Sequence, residues 1–181
     1  MTPTEVLVLG GPPAAGKTTV AALIADRWNP SVHLGGDAFW ETFIRRGYLK
    51  PWRPESREQN STVIRVVMAA AAEYAGGGYS VVVDATVGPW FLELVADVFS
   101  DRGVDWHYAI LLPTHASVVE RNGSRSPGEG VEEEVLEKMY AEFTSHLRGF
   151  EEHAVDSTRM SAEETAAAVC AKLERGELRL Q

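Results

Sequence analysis

Residues 11–18 read Gly-Pro-Pro-Ala-Ala-Gly-Lys-Thr, and few octapeptides limit a fold so tightly. They fit the pattern G-x-x-x-x-G-K-[ST], with a short apolar run at 6–9 before them and a helical period over 18–28 behind. A buried strand that turns through glycine directly into a helix makes backbone N–H groups converge on one point. Gly11 and Gly16 permit that convergence because they carry no Cβ. The helix starting near Lys17 aims its positive end at the same place. Lys17 adds a full charge, and the Thr18 hydroxyl can ligate Mg²⁺. The segment Gly11, Pro12, Pro13, Ala14, Ala15, Gly16, Lys17 and Thr18 therefore reads as a cradle for a phosphate chain.

The rest of the chain alternates strands with helices. Short strands are expected at 31–34, 81–83, 106–112 and 153–156, and helices at 38–46, 55–75, 89–100, 114–121 and from 131 onward. Val63, Val66, Val67, Ala70, Ala71 and Tyr74 are expected to share the buried face of the long helix. Ser161 and Glu164 have the spacing of a capping box at the start of the last helix. This order implies an α/β fold with a parallel sheet covered on both faces, in one domain spanning 1–181. Residues 122–130 contain three glycines, a proline and two serines, so a lid is expected at about 121–132.

In open parallel sheets ligands sit beyond the carboxyl ends of the strands, and two aspartates fall there. Asp84 closes a run of valines, a place suited to organising Mg²⁺ or its water. Asp37 follows Gly35-Gly36 and is the candidate general base; each could instead cap a helix. Arg121 and Arg125 flank the lid, where a guanidinium fork can meet phosphate oxygens when nucleotide is bound. Trp40, Trp52 and Trp90 are candidate walls of an acceptor pocket beside Asp37 and Asp84. Phe39 and Phe43, four residues apart, read as core, and Arg45 and Arg46 are either solvated or one of them holds an acidic group of a substrate.

Composition narrows the partners. A formal charge of -9 disfavours nucleic acid and anionic membranes as main partners. One cysteine, Cys170, sits in an alanine-rich run and allows no disulfide within the chain, which suits the reducing cytoplasm. No stretch is long and apolar enough to span a bilayer. The five histidines are scattered without cysteine companions, so a protein-bound zinc is not expected.

Gly-Gly-Pro-Pro-Ala-Ala-Gly-Lys-Thr-Thr, Gly-Gly-Asp37, Val-Val-Val-Asp84 and the segment around Arg121 together resemble the small P-loop kinases of the nucleoside-monophosphate-kinase-like group. Within it the chain is similar to antibiotic O-phosphotransferases typified by chloramphenicol phosphotransferase, and to zeta-toxin-like and polynucleotide-kinase-like proteins. The resemblance implies a three-layer α/β/α fold with a five-stranded parallel sheet in the order 2-3-1-4-5. It implies ATP and Mg²⁺, with Thr19 extending the phosphate cradle. It also implies Asp37 as base, Lys17 with Arg121 and Arg125 as catalytic cations, and adenine lying between the Arg121 region and a loop at 157–160 that carries Arg159. The stretch Asp37-Ala-Phe-Trp-Glu lacks the arginine that follows the acid in polynucleotide kinases, which argues against a nucleic-acid acceptor.

The expected activity is transfer of the ATP γ-phosphoryl group to a hydroxyl of a small molecule such as a sugar, a nucleoside-like metabolite or an antibiotic. The alternative is an ATPase or nucleotide-dependent switch acting on a protein partner. Absence of an Asn-Lys-x-Asp stretch argues against a GTPase. Oligomeric state is not legible in the sequence.

Overall fold

The computed structural model describes residues 5–126 and 130–180. One sheet contains five parallel strands: β1 Val6–Gly10, β2 Ser31–Gly35, β3 Ser80–Asp84, β4 His107–Leu111 and β5 Ala154–Val155. Their order is β2-β3-β1-β4-β5, as expected. Between and after them run α1 Lys17–Ala25, α2 Asp37–Glu41, α3 Arg57–Gly76, α4 Leu92–Ser100, α5 His115–Gly123, α6 Glu133–Ser145 and α7 Ala162–Glu174. Among the described residues no helix is long and apolar enough to cross a membrane.

The central strand is buried on both faces, which is why its sequence is continuously apolar rather than alternating. Val6 and Val8 face one way, into a core with Ile64, Met68, Val95 and Phe99 from α3 and α4. Leu7 and Leu9 face the other, against Val20, Ala21 and Ile24 of α1 and Ala166 and Val169 of α7. Each such aliphatic side chain removed from water stabilises the fold by about 1.5–3 kcal/mol. β1 lies between β3 and β4, so the loop leaving Gly10 emerges at the point where the strand order reverses.

Several expected elements differ in extent. The helix expected over 38–46 is only Asp37–Glu41. Phe43 is 61% exposed, so it adds little burial to a longer helix. Phe43 meets Phe39 edge-on, at 5.0 Å between ring centroids, and is not core. The long helix is rotated from its expected face. Ile64, Met68 and Ala72 are buried beside Val63, Val67 and Ala71, whereas Val66 and Tyr74 are 49% and 44% exposed. A tyrosine and a valine at the edge of the apolar stripe biased the sequence reading toward the wrong shoulder of the helix. The expected strand at 153–156 shrinks to two residues at the sheet edge, because His153 belongs to a short 3₁₀ turn.

The capping box of α7 is present, with Ser161 accepting from the Glu164 N–H and the Glu164 carboxylate accepting from the Ser161 N–H. Cys170 is half-buried and unpaired.

Candidate active site

The loop between β1 and α1 has the backbone its sequence demands. Gly11, Ala14 and Gly16 lie at φ of 143°, 61° and 94°. Ala14 is the single described non-glycine residue at positive φ, a conformation held only where surroundings enforce it. No side chain caps the N-terminus of α1, which leaves its first-turn N–H groups directed into the loop. The concave backbone, the uncapped helix end and the buried lysine fit a chain of phosphates.

Lys17 is 7% exposed, and its Nζ donates to the carbonyls of Gly11 at 3.0 Å and Pro12 at 3.1 Å. The loop therefore satisfies the buried charge with its own backbone. Burial lowers the Lys17 ammonium from its usual range, an effect opposed by Asp37 and Asp84 and reinforced by Arg125.

Asp84 ends β3 and is 5% exposed. His33 on the neighbouring strand β2 places Nε2 3.5 Å from Asp84 Oδ2, an ion-pair distance at which His33 Nε2 makes no regular hydrogen bond. Burial pushes the Asp84 carboxyl up. Contact with His33, the charge of Lys17 and the Thr18 hydroxyl outweigh it and hold the group below its usual range. Thr18 and Asp84 thus form a hard-oxygen pair that fits Mg²⁺.

Asp37 is the first residue of α2. The helix cap is Gly36, not Asp37, and no side chain caps it. The Gly36 N–H donates to the Asp84 carbonyl at 2.7 Å, tying the start of α2 to the end of β3. A Cβ on Gly36 would stand 2.6 Å from that of Ala85, so only glycine allows this approach. The Asp37 side chain is open to solvent yet ringed by protein on its other sides. Burial raises its carboxyl, against the pull of Lys17.

Asp37, Lys17, Thr18, Thr19 and Arg125 line a cavity of about 940 Å³ together with Trp40, Trp52 and Trp90. Each tryptophan is held differently. Trp40 is buried, and its Nε1–H donates to Asn60 Oδ1 at 2.9 Å. Trp52 carries the Lys50 ammonium 5.2 Å above its ring, and its carbonyl accepts from Lys138 Nζ at 3.2 Å. Trp90 folds over Gly88 and meets Phe143 of α6 at 5.0 Å. Arg45 and Arg46 are exposed and lie outside the lining, which fits the solvated alternative. Arg53, Arg57 and Lys138 supply the cations there instead.

The expected arginines separate. Arg121 lies in α5, and its fork is engaged by the carbonyls of Ala15 at 3.3 Å and Ser157 at 3.0 Å. It clamps the phosphate loop to the turn after β5. Arg125 lines the cavity and is close enough to act electrostatically on Lys17 and Asp37. Arg159 is exposed on the turn before α7 and outside the cavity. Asp84 is not among the residues lining this cavity, and its side chain meets His33. Of the lid expected at about 121–132, residues 121–123 are helical and 127–129 lie outside the described residues. The Asn122 amide binds both backbone groups of Val131, at 2.9 and 3.1 Å, and so brings the two ends of that segment together.

Sequence reasoning missed His33 and Asn60. His33 sits two residues before Gly35 on an edge strand, a spacing that places it on the Asp84 side only once the β2–β3 register is known. Asn60 is a lone polar residue on the buried face of α3, a signal the sequence did contain.

The AAA domain family model matches residues 6–146, more than half of the chain. A cytidylate kinase from Archaeoglobus fulgidus is 27% identical over 101 residues, covering 54% of this chain and 56% of the relative. The chain thus spans little more than half the length of that curated relative. The tunicamycin resistance protein of Deinococcus radiodurans has the same fold, with a TM-score of 0.70 at 16% identity over 94% of this chain and 95% of that one. A sugar kinase from Janibacter gives 0.69 at 16% identity, covering 95% of each chain. Shikimate kinase from Acinetobacter baumannii gives 0.67 at 17% identity, covering 97% and 96%. The chain belongs to the AAA domain family of P-loop proteins and has the kinase-like P-loop fold.

Proposed function

We propose that this protein is an ATP-dependent phosphotransferase whose acceptor is a hydroxyl on a small, partly apolar molecule. The observation that carries the reading is the shared cavity: Lys17, Asp37 and Arg125 face the same space as Trp40, Trp52 and Trp90. A protein that used nucleotide only as a switch has no need of an aromatic pocket beside a carboxylate. The cytidylate kinase relative and the kinase-fold neighbours support the same class of chemistry.

In this reading the loop Gly11 to Thr19 holds the phosphates of ATP, with Lys17 at the β/γ end. Thr18 and Asp84 would hold Mg²⁺ and its water, and the ion supplies neutralisation of phosphate charge. Asp37 accepts the proton of the acceptor hydroxyl as its oxygen bonds to the γ-phosphorus. The bond from that phosphorus to the β–γ bridging oxygen breaks, and ADP leaves. Arg125 stabilises charge on the transferred group, and Arg121 keeps the loop in place from behind. The aromatic walls exclude water, which directs transfer to the acceptor rather than to hydrolysis.

Asp37→Asn tests the reading. The variant is expected to bind Mg·ATP like the wild type in calorimetry while losing about 10²–10⁴ in turnover on whichever hydroxyl compound the wild type phosphorylates. Wild-type turnover in Asp37→Asn overturns the assignment of the base.

A further inference from the structure

Asn60 is a fully engaged polar residue in an otherwise apolar stripe. It lies on the buried face of α3 between Ser56 and Ile64 and is 9% exposed. Its Oδ1 accepts from the Trp40 indole at 2.9 Å. Its Nδ2 donates to the Pro51 carbonyl at 2.7 Å and to Ser56 Oγ at 3.1 Å. Ser56 is fully buried, and its hydroxyl donates toward the carbonyls of Pro51 and Arg53. One turn of α3 thus holds two separate walls of the cavity, α2 through Trp40 and the segment 51–56 through Pro51.

The connection matters because α2 cannot hold itself. A helix of five residues is far below the length at which helix formation sustains itself in water. No side chain caps its start, and Trp40 is its one buried side chain. The backbone bond from Gly36 to Asp84 fixes where α2 begins. Rotation about that point is set at the other end by Trp40, three residues beyond Asp37 and so on nearly the same helix face. A tryptophan in an apolar pocket can slide or turn over, but one whose N–H is bonded to a buried amide oxygen has a single seat.

We propose that Asn60 is a positioning residue for phosphoryl transfer, seating Trp40 and through it orienting α2 and the Asp37 carboxylate toward the acceptor. Its catalytic consequence rests on the phosphotransferase reading, whereas its effect on α2 does not. The second arm of Asn60 acts on another wall and separates from the first by substitution. Asn60→Leu removes both arms. Asn60→Asp keeps an oxygen for the indole but loses the donor to Pro51, so it should retain the seat of α2 while loosening 51–56.

The test combines amide and indole ¹H–¹⁵N spectra with kinetics on the full chain. Trp40→Phe identifies the Trp40 indole resonance by its loss. In Asn60→Leu the indole N–H is expected to shift and exchange with solvent, and the backbone amides of 37–41 to move. The amides of 11–18 should keep their wild-type positions. With the acceptor found for the wild type, kcat should fall tenfold or more while the Kd for Mg·ATP stays within twofold. Asn60→Asp should return the amides of 37–41 toward their wild-type positions. Unmoved 37–41 amides in Asn60→Leu overturn the proposal, and so does an equal loss of ATP affinity and kcat. If Asn60→Leu does not fold, Asn60→Ala, which removes the same bond to the indole N–H without adding bulk, must move the same α2 amides, and unmoved amides overturn the proposal there too. A wild type that phosphorylates no acceptor defeats the phosphotransferase reading, and the α2 amides then decide the positioning claim by themselves.

Discussion

His33 Nε2 stands 3.5 Å from Asp84 Oδ2 across neighbouring parallel strands. Asp84 is the carboxylate assigned to the metal side of the site, so His33 limits the directions in which it can turn. Partners that orient a metal-side carboxylate typically change metal affinity by about 10–100-fold when removed. His33→Ala is expected to raise the Mg²⁺ concentration for half-maximal activity by about tenfold and to leave ATP binding without Mg²⁺ unaltered. A titration of activity against Mg²⁺ decides this, and an unchanged midpoint removes His33 from the site.

The two arginines at the lid should behave differently. Arg125 faces the cavity, and Arg125→Ala is expected to lower kcat about a hundredfold. Arg121 spends its fork on the carbonyls of Ala15 and Ser157. Arg121→Ala should therefore act first on stability, by about 1–2 kcal/mol in a denaturant titration. Equal kinetic and stability losses in both variants contradict this division.

Gly36 is where α2 and β3 meet. A Cβ there would lie 2.6 Å from the Ala85 Cβ and 3.1 Å from the Asp84 carbonyl oxygen. Gly36→Ala is expected to cost about 1–3 kcal/mol and to lower turnover, since the strain falls next to Asp37. Thermal unfolding and kinetics on the same preparation check it.

Asp37 should give the enzyme its acid limb. Burial raises its carboxyl above the ordinary value of about 3.9, and the base works only when ionised. Activity should therefore fall as pH drops through a value above that range. The stability effect has the opposite sign. A carboxyl with a raised folded pKa costs stability above that pKa, because the unfolded chain ionises it freely. Asp37→Asn should accordingly have a higher Tm than the wild type at neutral pH, and a lower Tm contradicts the account.

The architecture was legible because its signals are local. Continuous valine runs, the Gly11-to-Thr18 loop and the Ser161 capping box each determine structure within a few residues. What was not legible depends on register and rotation. The pairing of His33 with Asp84 follows from the alignment of β2 with β3, and the buried face of α3 from where Asn60 points. The bonds of Arg121 to the carbonyls of Ala15 and Ser157 were likewise not legible, because they depend on how α5 packs beside the phosphate loop rather than on the glycine-rich segment that Arg121 flanks. The short α2 is followed by an exposed Phe43, and where the helix stops was not legible in the helical period.

Phosphoryl transfer to a small hydroxyl compound is the central claim, and a product search tests it most directly. The protein is incubated with Mg·ATP and a panel of sugars, nucleosides and hydroxylated antibiotics, and mass spectrometry looks for a phosphate added to any member, with Lys17→Ala as control. A phosphorylated product that appears with the wild type and not with Lys17→Ala is the predicted result. ATP consumed at a Lys17-dependent rate with no phosphorylated acceptor would contradict the account and favour a nucleotide-driven switch.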